Sequence, residues 1–446
     1  MNFIKKNYQY FLFFFFTVFV VFILLYLDNT YDAVWEYGMS HAIRIGEIPY
    51  KDFNTVSTPF FIMLSSVGLW IYDSFAVYLL EFCLLYTFAY YFLYKILGKK
   101  SIWIVLAMCV FLFHSFIATY NAMAFVLMIF LMYLEKNKKS DFWIGFVMGL
   151  LILSKHTIGL PVFFITCLGV RNWKKIFERV KGMLLPLGCF LLILLLTKSF
   201  LPFLDLCLFG LFDFGTNNRL LINWCVVLAF IMLVVTLYHI WKHPKNILFY
   251  YVLGAFFFVF PICDIGHIPH LLPLFLIPII DLYQEKINLK ILPFALIVIL
   301  LLINIFLRWD QMQEMRFSPY NHFTGTMTYA PSVSSIDQVL HKVSSYDHSI
   351  IIDGTGMFFN IVLDRKIDYF GVPLHGNYGY HGTSKMIEKI SKMKDTYFFI
   401  DYHNYYLIKN GLNKDDSQFD VDIVEYVIDH SEEVGKVGIF TIYHFA

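Results

Sequence analysis

The chain has 446 residues, of which 59% are hydrophobic, 20% aromatic and only 15% charged, with a formal net charge of +1 at pH 7. Soluble domains contain about 25% charged residues, so most of this chain is expected to lie in a lipid bilayer. The near-neutral charge and the absence of a dense Lys/Arg face give no reason to expect a nucleic-acid partner. The seven cysteines lack CxxC spacing and indicate neither a zinc site nor a disulfide framework.

Apolar segments long enough for membrane helices recur as far as residue 307. The first, 10–27, lacks a small-residue cleavage site, so we expect a retained span and not a signal peptide. The run 101–134 is too long for one helix and predicts two spans, and the run 142–170, broken at 154–156, predicts two short helices. Further spans are predicted at 75–97, 183–200, 220–241, 247–262, 268–283 and 291–307. The fold class is therefore a polytopic α-helical membrane protein of about eleven spans.

Basic residues alternate with these spans in a way that predicts topology. The Lys/Arg clusters lie at 5–6, 95–100, 136–139, 171–181, 242–245 and 286–290. The positive-inside rule places these clusters and the N-terminus on the cytoplasmic side of the plasma membrane, where we expect the protein to lie. The outer segments are then 28–74, 115–121, 155, 201–219 and 263–267. Within the first of these, the apolar stretch 59–72 is too short to cross the membrane and predicts a helix at the outer interface.

Beyond the spans the composition becomes polar, which divides the chain into a membrane domain, 1–309, and a C-terminal domain, 310–446. Strand-like runs occur at 349–353, 397–401 and 438–444, and a helix-like run at 384–393. Alternating strand and helix signals predict a small α/β domain. By parity of the spans this domain lies on the extracytoplasmic face.

The first outer segment, 28–74, carries candidate acids. Asp32 follows the first span directly, at the level where lipid headgroups meet water. A carboxylate there can take a proton from a hydroxyl that attacks a lipid-held substrate. Glu36 and Asp52 lie in the same segment and are candidates for an acceptor-binding or orienting role. The alternative is that these acids are solvated side chains of a loop, and the chemistry alone favours neither interpretation.

Two outer cations are candidates for binding phosphate. Lys155 lies between two apolar runs, far from the basic clusters, and cations inside a membrane are costly unless they are functional or paired. A lysine ammonium there can hold a phosphate as a point charge. The alternative is a lysine that snorkels to the interface. Arg219 is a further outer cation, for which a solvated loop position is the simpler interpretation.

The segment 261–270 brings one acid and two histidines to the outer face between two spans. His267 can donate to a phosphate or orient an acid. Asp264, three residues earlier, is a candidate orienting group, and this spacing equally allows the two side chains to bind each other as a structural pair. A metal site needs more ligands than these. No metal or other cofactor is therefore predicted, although the chemistry leaves room for a divalent ion.

Taken together, these motifs resemble the polyprenyl-phosphate-sugar-dependent glycosyltransferases of the GT-C fold, the superfamily of protein O-mannosyltransferases and lipid A aminoarabinose transferases. The resemblance covers about the membrane domain and lies closest to the bacterial branch. It rests on three positions: the first-loop acid Asp32 with the following 46–53 segment, Lys155 with the glycine and proline after it, and Asp264 with His267. Many members have Asp-Glu at the first motif, whereas here Ala33 follows the aspartate.

The resemblance implies inverting transfer of a sugar from a polyprenyl-phosphate donor to a glycan, lipid or protein acceptor of the cell envelope, at the outer face. Asp32 is then the expected catalytic base, and Lys155, with His267 or Arg219, the expected donor phosphate-binding group. The alternative is a transporter or flippase for lipid-linked sugars. Transporters more often carry inverted repeats and helices broken at the midplane, and neither is visible in the sequence.

Overall fold

The computed structural model describes part of the chain, and side chains are not described at 31–34, 214–217 and 333–335. The described residues are 8–18, 31–98, 105, 119–217, 223–260, 262–264, 266–283, 299, 333–352, 356–366, 377–412 and 420–446. These residues are mostly helical and include one small sheet. Among the described helices, three are long and apolar enough to cross a bilayer, Phe75–Leu97, Trp173–Leu196 and Trp224–Lys242, which indicates a membrane protein.

The helices that precede residue 300 are numbered here in chain order. They are α1 (Tyr8–Val18), α2 (Tyr31–Arg44), α3 (Phe60–Leu69), α4 (Phe75–Leu97), α5 (Tyr120–Lys136), α6 (Asp141–Ser154), α7 (His156–Val170), α8 (Trp173–Leu196), α9 (Phe200–Phe203), α10 (Gly210–Asn217), α11 (Trp224–Lys242), α12 (Ile247–Ala255) and α13 (Ile268–Tyr283). A π-helical turn, Leu204–Phe209, joins α9 to α10, and a short 3-10 turn, Phe256–Val259, follows α12.

The predicted spans agree with the observed helices at several places. The spans predicted at 75–97 and 268–283 coincide with the helices α4 and α13, of which α4 is long enough to cross a bilayer. The run predicted to break at 154–156 is interrupted at Lys155 alone. The span predicted at 183–200 begins ten residues earlier, at Trp173, because the charged first turns of α8 continue the helix. The remainder of the first span, the first half of 101–134 and the span 291–307 fall largely outside the described residues.

Two segments expected to be loops contain helices. The first outer segment includes α2, which occupies Tyr31–Arg44, besides the expected short apolar helix, α3. Most of the segment 201–219 is also helical, through α9, the π-helical turn and α10. Apart from α3, no helix was predicted at these places. The helices form because apolar side chains of α2 and of residues 200–207 pack against the helix bundle and stabilise them.

One end of the bundle is joined by ion pairs, of which those of Arg179 are buried. Arg179, 3% exposed, contacts the carboxylate of Glu135 at 2.6 Å and that of Asp141 at 2.8 Å. Lys136 pairs with Asp281 and also donates to the carbonyl of Ile96 at 2.6 Å. The end of α4, the end of α5, the start of α6, the start of α8 and the end of α13 therefore meet at one end of the molecule, called here the Arg179 end.

Glycines allow α6 and α8 to approach closely. A Cβ at Gly145 would lie 1.9 Å from the carbonyl oxygen of Arg179, and one at Gly182 would lie 1.9 Å from that of Phe142. Small residues commonly permit such backbone contact between membrane helices, where the packing itself supplies the attraction. The α6–α8 pair is therefore fixed against the Arg179 end.

The C-terminal part forms a four-stranded mixed sheet with helices. Its strands are β1 (Ser349–Ile352), β2 (Thr396–Ile400), β3 (Glu432–Val437) and β4 (Phe440–Phe445), and its helices are α14 (Val333–Ser344), α15 (Gly356–Val362), α16 (Gly382–Ile390), α17 (Tyr402–Lys409) and α18 (Val421–His430). The strand order is β1-β2-β4-β3, with β1 and β2 parallel and the other pairs antiparallel. The three predicted strands and the predicted helix are observed, and β3 is additional.

Candidate functional site

Helix α2 carries two of the candidate acids. Asp32 lies in its first turn and Glu36 one turn later, so the two positions share one face of the helix. The side chain of Asp32 lies outside the described residues, whereas that of Glu36 is fully buried. The sequence indicated the acids but not the helix that carries them.

Glu36 joins α2 to the N-terminus of α5. Its Oε2 atom accepts a hydrogen bond of 2.8 Å from the backbone N–H of Tyr120, the first residue of α5. The first N–H groups of a helix have no partner within it, and a carboxylate there is also favoured by the helix dipole. Thr119 serves the same helix end through its hydroxyl, which accepts from the N–H of Asn121 at 3.2 Å. Glu36 therefore has a structural role at the N-terminus of α5.

Lys155 lies at the tip of a helical hairpin. Helices α6 and α7 pack closely against each other, since a Cβ at Gly159 would lie 2.6 Å from the backbone of Ile152. The Lys155 ammonium donates to the side-chain oxygen of Asn121 and lies 4.9 Å from the ring centroid of Tyr120. The same residue, Tyr120, thus contacts Glu36 through its backbone and Lys155 through its ring.

The late acid and histidine of the sequence motif bind each other. His267 Nδ1 and Asp264 Oδ1 are 2.7 Å apart, and the same oxygen accepts from the backbone N–H groups of Gly266 and His267, each at 2.9 Å. Although burial of Asp264 acts against it, these bonds and the histidine charge hold the pKa of its carboxyl below the usual range. The structural-pair alternative is therefore observed.

The 264–270 segment lies near Lys155. His270, fully buried in the first turn of α13, packs against Phe125 of α5, with ring centroids 6.0 Å apart. Lys155 contacts Asn121 and Tyr120 in the first turn of α5. Three of the elements singled out in the sequence therefore meet at one end of the bundle, opposite the Arg179 end: α2, the Lys155 tip and the Asp264–His267 turn. We call this the Lys155 end.

Two candidates are not brought into this group by the described contacts. Asp52 accepts a hydrogen bond of 2.8 Å from the backbone N–H of Ile48. Its carboxylate therefore closes its own turn and has a structural role there. Arg219 lies outside the described residues, and its proposed role stays a prediction.

A second polar network fixes α2 and was not foreseen from the sequence. Asp73, just before α4, accepts from the hydroxyl of Tyr37 at 3.0 Å, contacts His41 Nδ1 at 2.6 Å and pairs with Arg44 at 3.1 Å. Burial acts to raise the pKa of the Asp73 carboxyl, but the bond and charge of His41, together with Arg44, hold it below its usual value. The pKa of Tyr37 is raised, mainly by burial and secondly by the nearby carboxylate of Asp73. One carboxylate thus anchors three residues of the helix that carries Asp32.

The C-terminal part contacts α2. A Cβ at Gly38 would lie 2.2 Å from the sulfur of Met357, in α15, so the two helices touch where this glycine leaves space. Asp364, after α15, lies 3.6 Å from His41 Nε2. The acid-bearing helix is therefore held between the membrane helices and the C-terminal part.

The C-terminal part also docks on the segment that follows α8. Asp205, in the π-helical turn, accepts from the backbone N–H of Tyr380 at 3.2 Å and pairs with Lys385 at 2.6 Å. Asp213 accepts from the backbone N–H of His381 at 2.7 Å. Gly379 has a φ of +82°, and a Cβ there would lie 2.6 Å from the Asp205 carboxylate, so glycine is needed for this approach.

Among the described residues, no group of three or more His, Cys, Asp or Glu side chains is arranged to hold a metal ion. The site therefore consists of an acid-bearing helix, a lysine near a helix N-terminus and a histidine–aspartate turn. Comparison of this chain with protein-family models, with curated proteins and with solved structures found no match.

Proposed function

We propose that the protein transfers a sugar from a polyprenyl-phosphate donor to a glycan, lipid or protein acceptor of the cell envelope. The observation that carries the proposal is the position of Tyr120, which contacts the acid-bearing helix through Glu36 and the Lys155 ammonium through its ring. A base for a hydroxyl and a cation for a departing phosphate are what this reaction requires at one place. The sequence resemblance to GT-C transferases supports the same assignment.

The reaction proceeds with inversion. Asp32 removes the proton of the acceptor hydroxyl as its oxygen attacks the anomeric carbon, and the bond from that carbon to the phosphate oxygen breaks with its electron pair going to the phosphate. Lys155 stabilises the charge that grows there, assisted by His267 or Arg219. Glu36 is the less suitable base, because its carboxylate already serves the N-terminus of α5.

We also propose a membrane topology that places the site at the outer face. About eleven spans cross the plasma membrane, the N-terminus and the Arg179 end face the cytoplasm, and the Lys155 end and the C-terminal domain face outward. The charge alternation along the sequence supports this orientation. The contacts of the C-terminal part with Gly38, Asp205 and Asp213 are compatible with it, since they lie away from the Arg179 end.

The transporter alternative has less support. Lys155 lies at the tip of the α6–α7 hairpin and not at a break in the middle of a continuous span. Transporters more commonly place their substrate site at such a midplane break.

The experiment is a transfer assay on purified protein in nanodiscs with a polyprenyl-phosphate sugar, together with mass spectrometry of surface glycans with and without the gene. Asp32→Asn keeps the size of the side chain but cannot accept a proton, so donor binding should persist and transfer should fall about a hundredfold to ten thousandfold. Glu36→Gln, which keeps the acceptor oxygen for the α5 amide, is the matched control and should retain transfer. Wild-type transfer in Asp32→Asn with a dead Glu36→Gln would assign the base to Glu36, and activity in both variants would refute the transferase proposal.

A further inference from the structure

Two basic loops adjoin each other at the Arg179 end. The first, at residues 171–172, joins α7 to α8, and the second, at 243–246, joins α11 to α12. A Cβ at Gly169 would lie 2.6 Å from the side chain of Ile247 and 2.9 Å from the ring of Tyr250, so the end of α7 lies directly against the start of α12. Tyr250 also donates to the carbonyl of Pro244 at 3.3 Å. The cations of the two loops therefore lie on one connected surface.

This surface is cationic and its charges are exposed. It carries Arg171, Lys174, Lys175, Lys242 and Lys245. None of these five side chains forms an ion pair with another residue in the described part of the chain. The nearest acid along α8, Glu178, is taken by Lys181 at 2.8 Å. By contrast, the buried Arg179 is neutralised by two carboxylates, so the exposed cations are not required for holding the bundle together.

Large aromatic side chains lie among these cations. Trp173 is 83% exposed and Trp241 is 72% exposed, and the ammonium of Lys242 lies 4.9 Å from the Trp241 ring centroid. Phe177, one turn after Trp173, is also exposed. Tryptophans with this exposure beside lysines are typical of the layer where lipid headgroups meet the acyl chains.

The position of α8 places this surface at headgroup level. The first nine residues of α8, Trp173–Lys181, carry five charged side chains and form a polar N-terminal extension of this helix. The apolar part of α8, which can cross a bilayer, follows this extension. The extension therefore lies outside the hydrocarbon layer, with its lysines among the headgroups.

We propose that this surface, formed by the 171–175 and 242–245 segments, binds anionic phospholipid headgroups. The unpaired cations complement the phosphate and the net negative charge of such lipids, and the two tryptophans anchor the surface at the interface. The positive-inside rule explains why each of these loops carries cations. It does not require that the two loops lie side by side next to exposed tryptophans. The inference is independent of sugar transfer.

The test compares a fourfold variant, Lys174→Gln, Lys175→Gln, Lys242→Gln and Lys245→Gln, with a control of equal charge change. The control replaces four exposed lysines of the C-terminal part by glutamine, at Lys366, Lys392, Lys394 and Lys436. Each protein is placed in nanodiscs of phosphatidylcholine alone or with phosphatidylglycerol, and the retained phosphatidylglycerol is measured by native mass spectrometry. Each cation near an anionic surface contributes about fivefold in affinity, so the variant should retain at least tenfold less of this lipid than wild type or control.

Thermal unfolding in the same nanodiscs supplies a second measurement. Phosphatidylglycerol should raise the midpoint of wild type and control but not that of the fourfold variant, and 0.5 M salt should remove the difference by screening. Equal lipid retention by variant and wild type, or no preference of wild type for phosphatidylglycerol, would overturn the inference. If the fourfold variant fails to fold in phosphatidylcholine, the pairs Lys174/Lys175 and Lys242/Lys245 are tested separately, and each should lose part of the retention.

Discussion

Asp73 is expected to hold the acid-bearing helix α2 in place, and Asp73→Asn tests this. The carboxylate, 12% exposed, binds Tyr37, His41 and Arg44. Asparagine retains an acceptor for Tyr37 but loses the charge that attracts the other two. A hydrogen bond to a charged group contributes about 1.5–3 kcal/mol, and the Arg44 pair is discounted because that side chain is one-third exposed. The expected loss is therefore about 2 kcal/mol, mostly from the contact with His41.

The measurement is hydrogen exchange of the α2 amides, followed by mass spectrometry. A loss of about 2 kcal/mol corresponds to about 30-fold weaker protection of this helix, if it opens locally. Asp429→Asn, which changes an exposed aspartate of the C-terminal part, is the control and should leave α2 unchanged. In the transfer assay Asp73→Asn should lower turnover more than donor affinity, because it displaces Asp32 and not Lys155. Unchanged protection of α2 would refute the anchoring role.

The pH dependence has a defined sign. The pKa of Asp73 is lower in the folded protein than in the unfolded chain, so the unfolded chain binds more protons in the interval between the two values. The stabilisation is fully present above about pH 4, the usual range of an aspartate, and is lost as the pH falls through the lowered value. The difference between wild type and Asp73→Asn should therefore disappear in acid, as the pH falls through the lowered pKa of Asp73.

The remaining predictions concern packing and orientation. Gly145→Ala should destabilise the protein by about 1–3 kcal/mol, because its Cβ would meet the backbone of Arg179. Gly188→Ala, whose Cβ would meet nothing within 4 Å, should be neutral or stabilising. Thermal unfolding of both variants checks this, and equal effects would contradict it. A reporter enzyme that works only outside the cytoplasm should be active when it is fused after Ala446. An inactive reporter would indicate a cytoplasmic C-terminus, which is incompatible with a catalytic site at the outer face.

Several features of the fold followed from local sequence. A cation between two apolar runs predicted the break at Lys155, because a helix interior in a membrane has no place for an isolated charge. Helix α2 escaped prediction although Trp35, Met39 and Ala42 recur at helical spacing and pack in the core. The polar residues among them resemble those of a loop. Strand β3 escaped because it is an exposed edge strand whose charges resemble those of a loop.

The site was predictable in part for a similar reason. Lys155 and the acids of the first outer segment are conspicuous because each lies beside apolar sequence. Asp73 is not, because its three partners lie 29 to 36 residues away and no local pattern relates them. Asn121 was visible only as a polar interruption of an apolar run, and its contact with Lys155 depends on how two distant helices pack.

The two ends of the bundle should respond differently when their cations are removed. Arg179→Met leaves the carboxylates of Glu135 and Asp141 without their buried partner, which typically costs about 3–5 kcal/mol. Lys155→Met removes a donor from Asn121 and a cation from the Tyr120 ring, both neutral groups, so a smaller loss of about 1–2 kcal/mol is expected. If Lys155 serves the donor phosphate, its variant should fold but bind polyprenyl phosphate weakly, whereas the Arg179 variant should unfold at lower temperature yet bind the donor normally while folded. Thermal unfolding and donor titration of both variants separate these outcomes. Normal donor affinity in folded Lys155→Met protein would return this lysine to a snorkelling role and remove the cation from the proposed mechanism.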